Sequence, residues 1–378
     1  MHHGLGGHEF VPDYEVPPGA TLRETLDGLE MSQAEFARRT DLSAKHVNQI
    51  IQGEAPISVD IARRLELVTE VPAALWLGLD ANYQAAKLRQ TLATTMTADD
   101  VDWVREMPVR ALIQRGFIPD TADTASRFEG LLRFFGVANR RAWESLWAAP
   151  DAAFHRSMAF TQKPFPTATL LRLVEIEAAE VATLPFDRAA FREAAREIRS
   201  WLREPIGRPL ITKIRSRLAS VGVAFVVVPE VEGSRASGAT RWLSADKVLI
   251  ALSMRYKRDD RFWFTFFHEI GHILLHGKRT TFVDEERGEV AAPRGGDEAE
   301  ADRFASDVLI PRQLESQVRK LTTSGEIEAF AERLGLPPGV VVGRLQRLEV
   351  IGWQTPLNRL RKQINREELQ SAANRAKS

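Results

Sequence analysis

The sequence contains no cysteine, which excludes disulfides, a thiolate metal site and a cysteine nucleophile. Any bound metal is left to histidine and carboxylate. Net charge is missing too: 51 basic residues balance 51 acidic ones. That excludes a uniformly basic nucleic-acid coat, though a small DNA-reading module fits inside the balance. Long apolar runs are absent, and stretches such as Val223 to Val228 are far too short to cross a bilayer. The opening Met1-His2-His3-Gly4 lacks the charged region and apolar run of a secretory signal. The expectation is a cytoplasmic protein with no membrane partner. What is present is globular composition, 44% hydrophobic and 27% charged, over 378 residues. That length suggests two or three domains.

Punctuation along the chain sets an expected layout. Residues 1–16, with Gly, His and Pro but no periodicity, read as a flexible arm. Short amphipathic helices follow over 17–83, and a helical connector broken by prolines over 84–204, with a hinge near Lys163–Pro166. After Pro209 the pattern changes. The β-branched run Val223 to Val228, between Gly222 and Pro229, predicts a buried strand. Gly238 to Leu243 and Val248 to Leu252 predict two more, joined by a turn at Ser244–Asp246. Helices are expected over Arg261–His276 and Asp297–Leu309, the latter ended by Pro311. A charged tail is expected at 361–378.

His268-Glu269-Ile270-Gly271-His272 is an HExxH arrangement. On a helix, residues four apart share one face about 6 Å apart along the axis, so both imidazoles can converge on one ion. Glu269 stands beside them, placed to take a proton from an activated water as general base. Asp259 and Asp260 are expected to cap this helix, and Phe262, Trp263, Phe264, Phe266, Phe267, Ile273 and Leu274 to bury its body. The segment Glu298-Ala299-Glu300-Ala301-Asp302 opens a second helix. There Glu298 would complete a His₂Glu set, with Asp302, one turn on, accepting the free N–H of a ligating imidazole. Glu300 points to a different face and is the rival ligand. His276 lies two turns from His268, about 12 Å along the axis, so the two cannot share an ion on one helix. It is expected to be structural or solvent-exposed. The donor set favours Zn²⁺, with nickel, cobalt or manganese able to substitute. One of the strands between Gly238 and Leu252 is a candidate edge for an extended substrate, a structural hairpin being the alternative. Tyr256 or Arg255 is the candidate oxyanion donor.

Near the start, Ser32 and Glu35 form a capping-box pattern ahead of Phe36-Ala37. After Asp41-Leu42 a second helix, Ser43–Gln52, stops at Gly53. Val47 and Ile50 face inward. This layout is a helix-turn-helix with Ser43–Gln52 as recognition helix. Ser43, Lys45, His46, Asn48 and Gln49 suit base edges or phosphates, and Gln33 a phosphate. Charge opposes the reading. From Pro17 to Asp80, six basic residues (Arg23, Arg38, Arg39, Lys45, Arg63, Arg64) face ten acidic ones, which weakens phosphate attraction. A protein-binding helix bundle is the alternative.

These residues resemble known families. Residues 17–83, from Pro17-Pro18-Gly19 through Met31-Ser32-Gln33-Ala34-Glu35-Phe36-Ala37 and Gln49-Ile50-Ile51-Gln52-Gly53 to Trp76-Leu77, resemble HigA-like antitoxins of the Cro/C1 helix-turn-helix superfamily. Residues 205–360 resemble the ImmA/IrrE metallo-endopeptidases. That likeness rests on Phe262 to His272, on Glu298-Ala299-Glu300-Ala301-Asp302-Arg303-Phe304-Ala305, on Ile310-Pro311 and on Val341 to Leu345. The resemblance implies a gluzincin-like fold, zinc, and cleavage of a helix-turn-helix repressor that relieves repression after stress. The expected architecture is multi-domain, mostly α plus α+β: an N-terminal helix-turn-helix bundle, a helical connector and a C-terminal zinc peptidase domain with a small β-sheet. The expected partners are a repressor protein as substrate, operator DNA, a toxin and a second copy of the chain. The rival reading is a non-catalytic transcriptional regulator or antitoxin of a toxin–antitoxin system.

Overall fold

The structure is a computed structural model that describes residues 17–148, 164–234, 236–255, 258–276, 282–285 and 296–365. The expected arm 1–16, Lys163, Tyr256 and most of the tail 361–378 lie outside the described residues. The chain divides into two compact units, the first ending at Ala98 and the second beginning at Asp99.

The first unit is helical: α1 (Pro18–Gly28), α2 (Gln33–Thr40), α3 (Ala44–Ile51), α4 (Val59–Thr69) and α5 (Ala73–Thr95). Leu22, Phe36, Val47, Ile50, Ala62, Leu65 and Trp76 form its core, each with no exposed surface. Boundaries are set by local chemistry. Ser32 Oγ accepts from Glu35 N at 3.2 Å and Ser43 Oγ from His46 N at 3.1 Å, satisfying amides that a helix start leaves unpaired. The expected capping box at α2 is only half made, because the Glu35 carboxylate pairs with Arg39 one turn on. Asp41, in the left-handed region at φ 55°, closes α2.

The second unit opens with α6 (Ala98–Glu106), α7 (Val109–Ile113), α8 (Thr124–Phe135) and α9 (Arg140–Trp143). It continues with α10 (Phe165–Ala179), α11 (Arg188–Arg199) and α12 (Arg208–Ala219). Then come β1 (Val223–Val228), β2 (Ala236–Trp242), β3 (Val248–Ser253), α13 (Asp259–Leu275), β4 (Phe282–Glu285) and α14 (Gly296–Leu309). Short α15 (Glu315–Val318), α16 (Ser324–Arg333) and α17 (Pro338–Arg347) follow. The sheet order is β1-β3-β2-β4, with β1 parallel to β3 and the other pairs antiparallel.

Strand alternation sorts the helices onto two faces. Phe225 of β1 meets Phe266 of α13 edge-on at 5.5 Å, and Thr240 of β2 reaches Glu269. The neighbouring Arg241 points the other way, onto Glu175 of α10. Thus α10 and α11, from the stretch read as a helical connector, are structural parts of this unit. α10 packs on β1, β2 and β3, and α11 shares the apolar cluster of α13.

Two expectations fail here. Asp259 and Asp260 do not cap α13. Arg258 holds the extended capping position (φ −140°, ψ 146°), so both acids already lie in the first turn, buried. The strand edge is also elsewhere: β2 and β3 are both interior, paired as a hairpin, and the edge on the β2 side is β4.

Candidate metal centre and DNA-reading helix

α13 is apolar on nearly every side, and Phe262, Trp263, Phe266, Phe267 and Ile270 are all buried. That packing fixes where its polar residues stand. His268 and Glu269 have no exposed surface and His272 has 1%. α14 lies against α13 because Gly271 leaves room: a Cβ there would stand 3.2 Å from Ala301 Cα and 3.1 Å from Phe304. The crossing brings the acidic first turn of α14 over the two rings.

His268 Nε2 and His272 Nε2 are 2.9 Å apart. Glu298 Oε2 lies 3.3 Å from the first, and Oε1 3.5 Å from the second. One ligand atom from each of the three residues falls within 4.8 Å of the others. Four ligands on bonds of about 2.0–2.1 Å sit about 3.3 Å apart in a tetrahedron; each carboxylate oxygen stands near that spacing from one ring, and the two ring nitrogens stand closer together. His268 Nδ1 lies 2.9 Å from Asp302 Oδ1, a carboxylate placement that favours a proton on Nδ1 and leaves the Nε2 lone pair for an ion. Two ring nitrogens at 2.9 Å with a carboxylate between them are therefore a donor set that fits a divalent cation. Glu300, the rival ligand, reaches His276 Nε2 instead, at 3.4 Å.

Glu269 is placed by β2. Thr240 Oγ1 donates to its Oε2 at 2.5 Å. Opposite, Gly238 makes the space: a Cβ there would stand 2.3 Å from Glu269 Oε1. Sequence reasoning missed both residues, and the one signal was a glycine inside a strand, which marks close approach of another group. Of the two alternatives for His276, structural or solvent-exposed, the structure shows the first. The side chain is 6% exposed, and its Nδ1 lies 3.0 Å from His272 Nδ1. Arg255 is committed elsewhere, donating to Ser234 O at 2.8 Å and reaching Glu230; Tyr256 lies outside the described residues.

In the first unit, Gln33, Ser43, Lys45 and Asn48 are exposed, while His46 and Gln49 are half-buried. Lys45 and Asn48 thus share an open face of α3. Ser43 spends its hydroxyl on the helix start.

Comparison with known proteins bears on both units. Residues 232–346 match the family model Peptidase_M78, described as an IrrE N-terminal-like domain. Residues 22–76 match the helix-turn-helix model. The chain joins a helix-turn-helix domain to an IrrE-like M78 peptidase domain. The M78 match spans β2, β3, α13 and α14 and so includes all five residues of the HExxH segment and Glu298. The helix-turn-helix regulator YddM of Escherichia coli (strain K12) is 28% identical over 75 residues, 20% of this chain and 80% of that protein. Two structures from Pseudomonas aeruginosa align with the same region. PA4674 in complex with 18-bp operator DNA is 34% identical, over 20% of this chain and 82% of that one, TM-score 0.19. Antitoxin HigA with the higBA promoter is 29% identical, over 22% and 98%, TM-score 0.21. Among the described residues no helix is long and apolar enough to cross a membrane.

Proposed function

We propose that the M78 domain is a zinc-dependent endopeptidase acting on a helix-turn-helix repressor protein in the cytoplasm, and that the helix-turn-helix domain reads operator DNA. The observation that carries the enzyme reading is the convergence of His268 Nε2, His272 Nε2 and the Glu298 carboxylate beside a buried Glu269. His268, His272 and Glu298 would hold Zn²⁺, which when bound would supply Lewis acidity for the scissile carbonyl and for activation of the attacking water. Glu269 takes the water's proton on its carboxylate and hands it to the leaving amine. Thr240 holds Oε2, so the mobile proton is carried on Oε1. Asp302 fixes the His268 ring. The sheet edge at β4 offers backbone pairing to an extended peptide, a mode of recognition that needs little sequence.

Glu269→Gln tests the reading. The variant is expected to keep stoichiometric zinc while cleavage of purified helix-turn-helix repressors falls about 10²–10⁴-fold, the usual worth of a general base. Undiminished cleavage, or metal lost with the substitution, counts against it. A second reading, a regulator or antitoxin without turnover, draws on the helix-turn-helix match of residues 22–76. It requires protein that purifies without zinc and tolerates His268→Ala.

For the first unit, the exposed Lys45 and Asn48 on a capped α3 support DNA reading. The protein should retard its own promoter DNA in a gel, and Lys45→Ala with Gln49→Ala should abolish the shift. A shift that survives both substitutions points instead to a toxin or another protein as the partner of α3.

A further inference from the structure

We propose that His276 is the positioning residue for the metal ligand His272, in a relay that ends on the acids of α14. The inference rests on the metal reading above. His272 turns Nε2 toward His268 and Glu298, which makes that nitrogen the ligand atom. Its other nitrogen, Nδ1, must then carry the proton and needs an acceptor to fix the tautomer and the ring plane. Nδ1 of His276 stands 3.0 Å away. Accepting there places the proton of His276 on Nε2, which faces Glu300 Oε2 at 3.4 Å and Asp297 Oδ1 at 3.8 Å. His272 thus donates through Nδ1 and keeps the Nε2 lone pair for the metal, while His276 accepts that proton on Nδ1 and turns its own Nε2 toward the carboxylates of α14.

The backbone explains why this residue is available. α13 ends at Leu275, and the His276 amide still donates to His272 O at 3.1 Å. One further turn thus brings the ring onto the face of His272. His276 is not a third ligand, because it contacts the nitrogen of His272 that faces away from Glu298. The two ligand rings are therefore held differently. His268 faces a carboxylate directly, at 2.9 Å from Asp302, whereas His272 meets an imidazole whose far nitrogen faces the acids of α14.

The experiment measures zinc affinity of the full chain by chelator competition, with the visible spectrum of the Co²⁺ form as a second readout and melting of the metal-free protein as control. His276→Ala is expected to weaken zinc binding about 10–100-fold, the usual cost of removing a ligand's hydrogen-bond partner. The Co²⁺ bands should shift and the metal-free melting temperature hold. His276→Gln, whose amide oxygen can accept from His272 Nδ1, should restore most of the affinity. The exposed pair Asp297→Asn with Glu300→Gln should weaken binding several-fold and serves if His276→Ala does not fold. Wild-type affinity and spectrum in His276→Ala, or in the acid pair, overturn the proposal. So does a loss confined to metal-free stability. Wild-type protein that takes up no zinc overturns the metal reading itself, and the relay with it.

Discussion

Lys45 and Asn48 project into solvent from α3, an eight-residue helix, whereas His268, Glu269 and His272 sit past the middle of the seventeen-residue α13 with almost no exposed surface. An exposed polar residue needs no partner in the protein, so the α3 face can change without disturbing its core. A buried one must be satisfied or its desolvation destabilises the fold. The α13 residues accordingly draw on Thr240 of β2, on Glu298 and Asp302 of α14, and on His276. In the second unit chemistry and packing are coupled; in the first they are separable.

The sharpest way to break this contrast is a single methyl group. In Gly238→Ala the added Cβ would stand 2.3 Å from Glu269 Oε1 and 2.6 Å from Thr265 Cγ2, so strand or base must move. Displacing a catalytic group by about 1 Å can cost about 10²-fold in rate, and overpacking costs roughly 1–3 kcal/mol. Peptidase assays should fall by about that factor, with lowered melting of the second unit. The same change at Gly78 of α5 meets nothing within 4 Å. There alanine is expected to raise the stability of the first unit by about 0.5–1 kcal/mol, the helix penalty of glycine. Equal outcomes at the two positions would erase the distinction.

The next effect is a pH dependence that only the second unit should show. Burial, and then the neighbouring Asp260 carboxylate, push Asp259 up to about 7, against smaller opposing pulls from the amides of Asp260 and Lys362. Asp260 in turn pairs with Arg361 Nη2 at 2.8 Å. A raised carboxyl pKa means the folded state holds a proton that the unfolded chain has already released. The contribution is complete below the ordinary carboxylate range and is lost as pH rises through about 7. Melting of the full chain between pH 5 and 8 should therefore show the second transition falling with pH, and Asp259→Asn should flatten that slope. A slope unchanged by Asp259→Asn would assign it to other groups.

The same coupling explains what the sequence disclosed. The HExxH spacing and the acidic opening of α14 were legible because helix geometry is local: four residues fix a face, and a carboxylate with a second acid one turn on marks another. β1, β2 and β3 were legible from β-branched runs and turn residues, close to their observed limits. Strand order was not, since pattern says what a strand buries and not which neighbour it pairs with; hence the sequence left open whether one strand between Gly238 and Leu252 is an edge or the two form a hairpin, and the structure shows the hairpin with β4 outside it. Thr240 and Gly238 lie about thirty residues before Glu269 and meet it only through the sheet. The contact of His276 with His272 was not legible, because spacing along the helix excludes His276 as a ligand without saying which ring nitrogen it meets. α10 looked like a connector because its apolar residues have no partner until the sheet exists.

The smallest effects belong to α3, where two neighbouring residues separate fold from recognition. Ser43 Oγ accepts from His46 N at 3.1 Å, so Ser43→Ala removes a helix cap. That should cost about 1 kcal/mol in melting of the first unit, with weaker DNA binding following from a looser helix start. Lys45 is exposed and has no structural task of this kind. Lys45→Ala should leave melting unchanged and lower affinity for every DNA sequence alike, reducing the salt dependence by about one counterion. With six basic residues against ten acidic ones between Pro17 and Asp80, few cations remain to replace it. Titrations at two salt concentrations distinguish the cases: a changed salt slope belongs to a phosphate contact, and lowered melting belongs to the cap. Were Lys45→Ala to lower melting as Ser43→Ala does, the exposed face of α3 would be as bound to its fold as the buried face of α13.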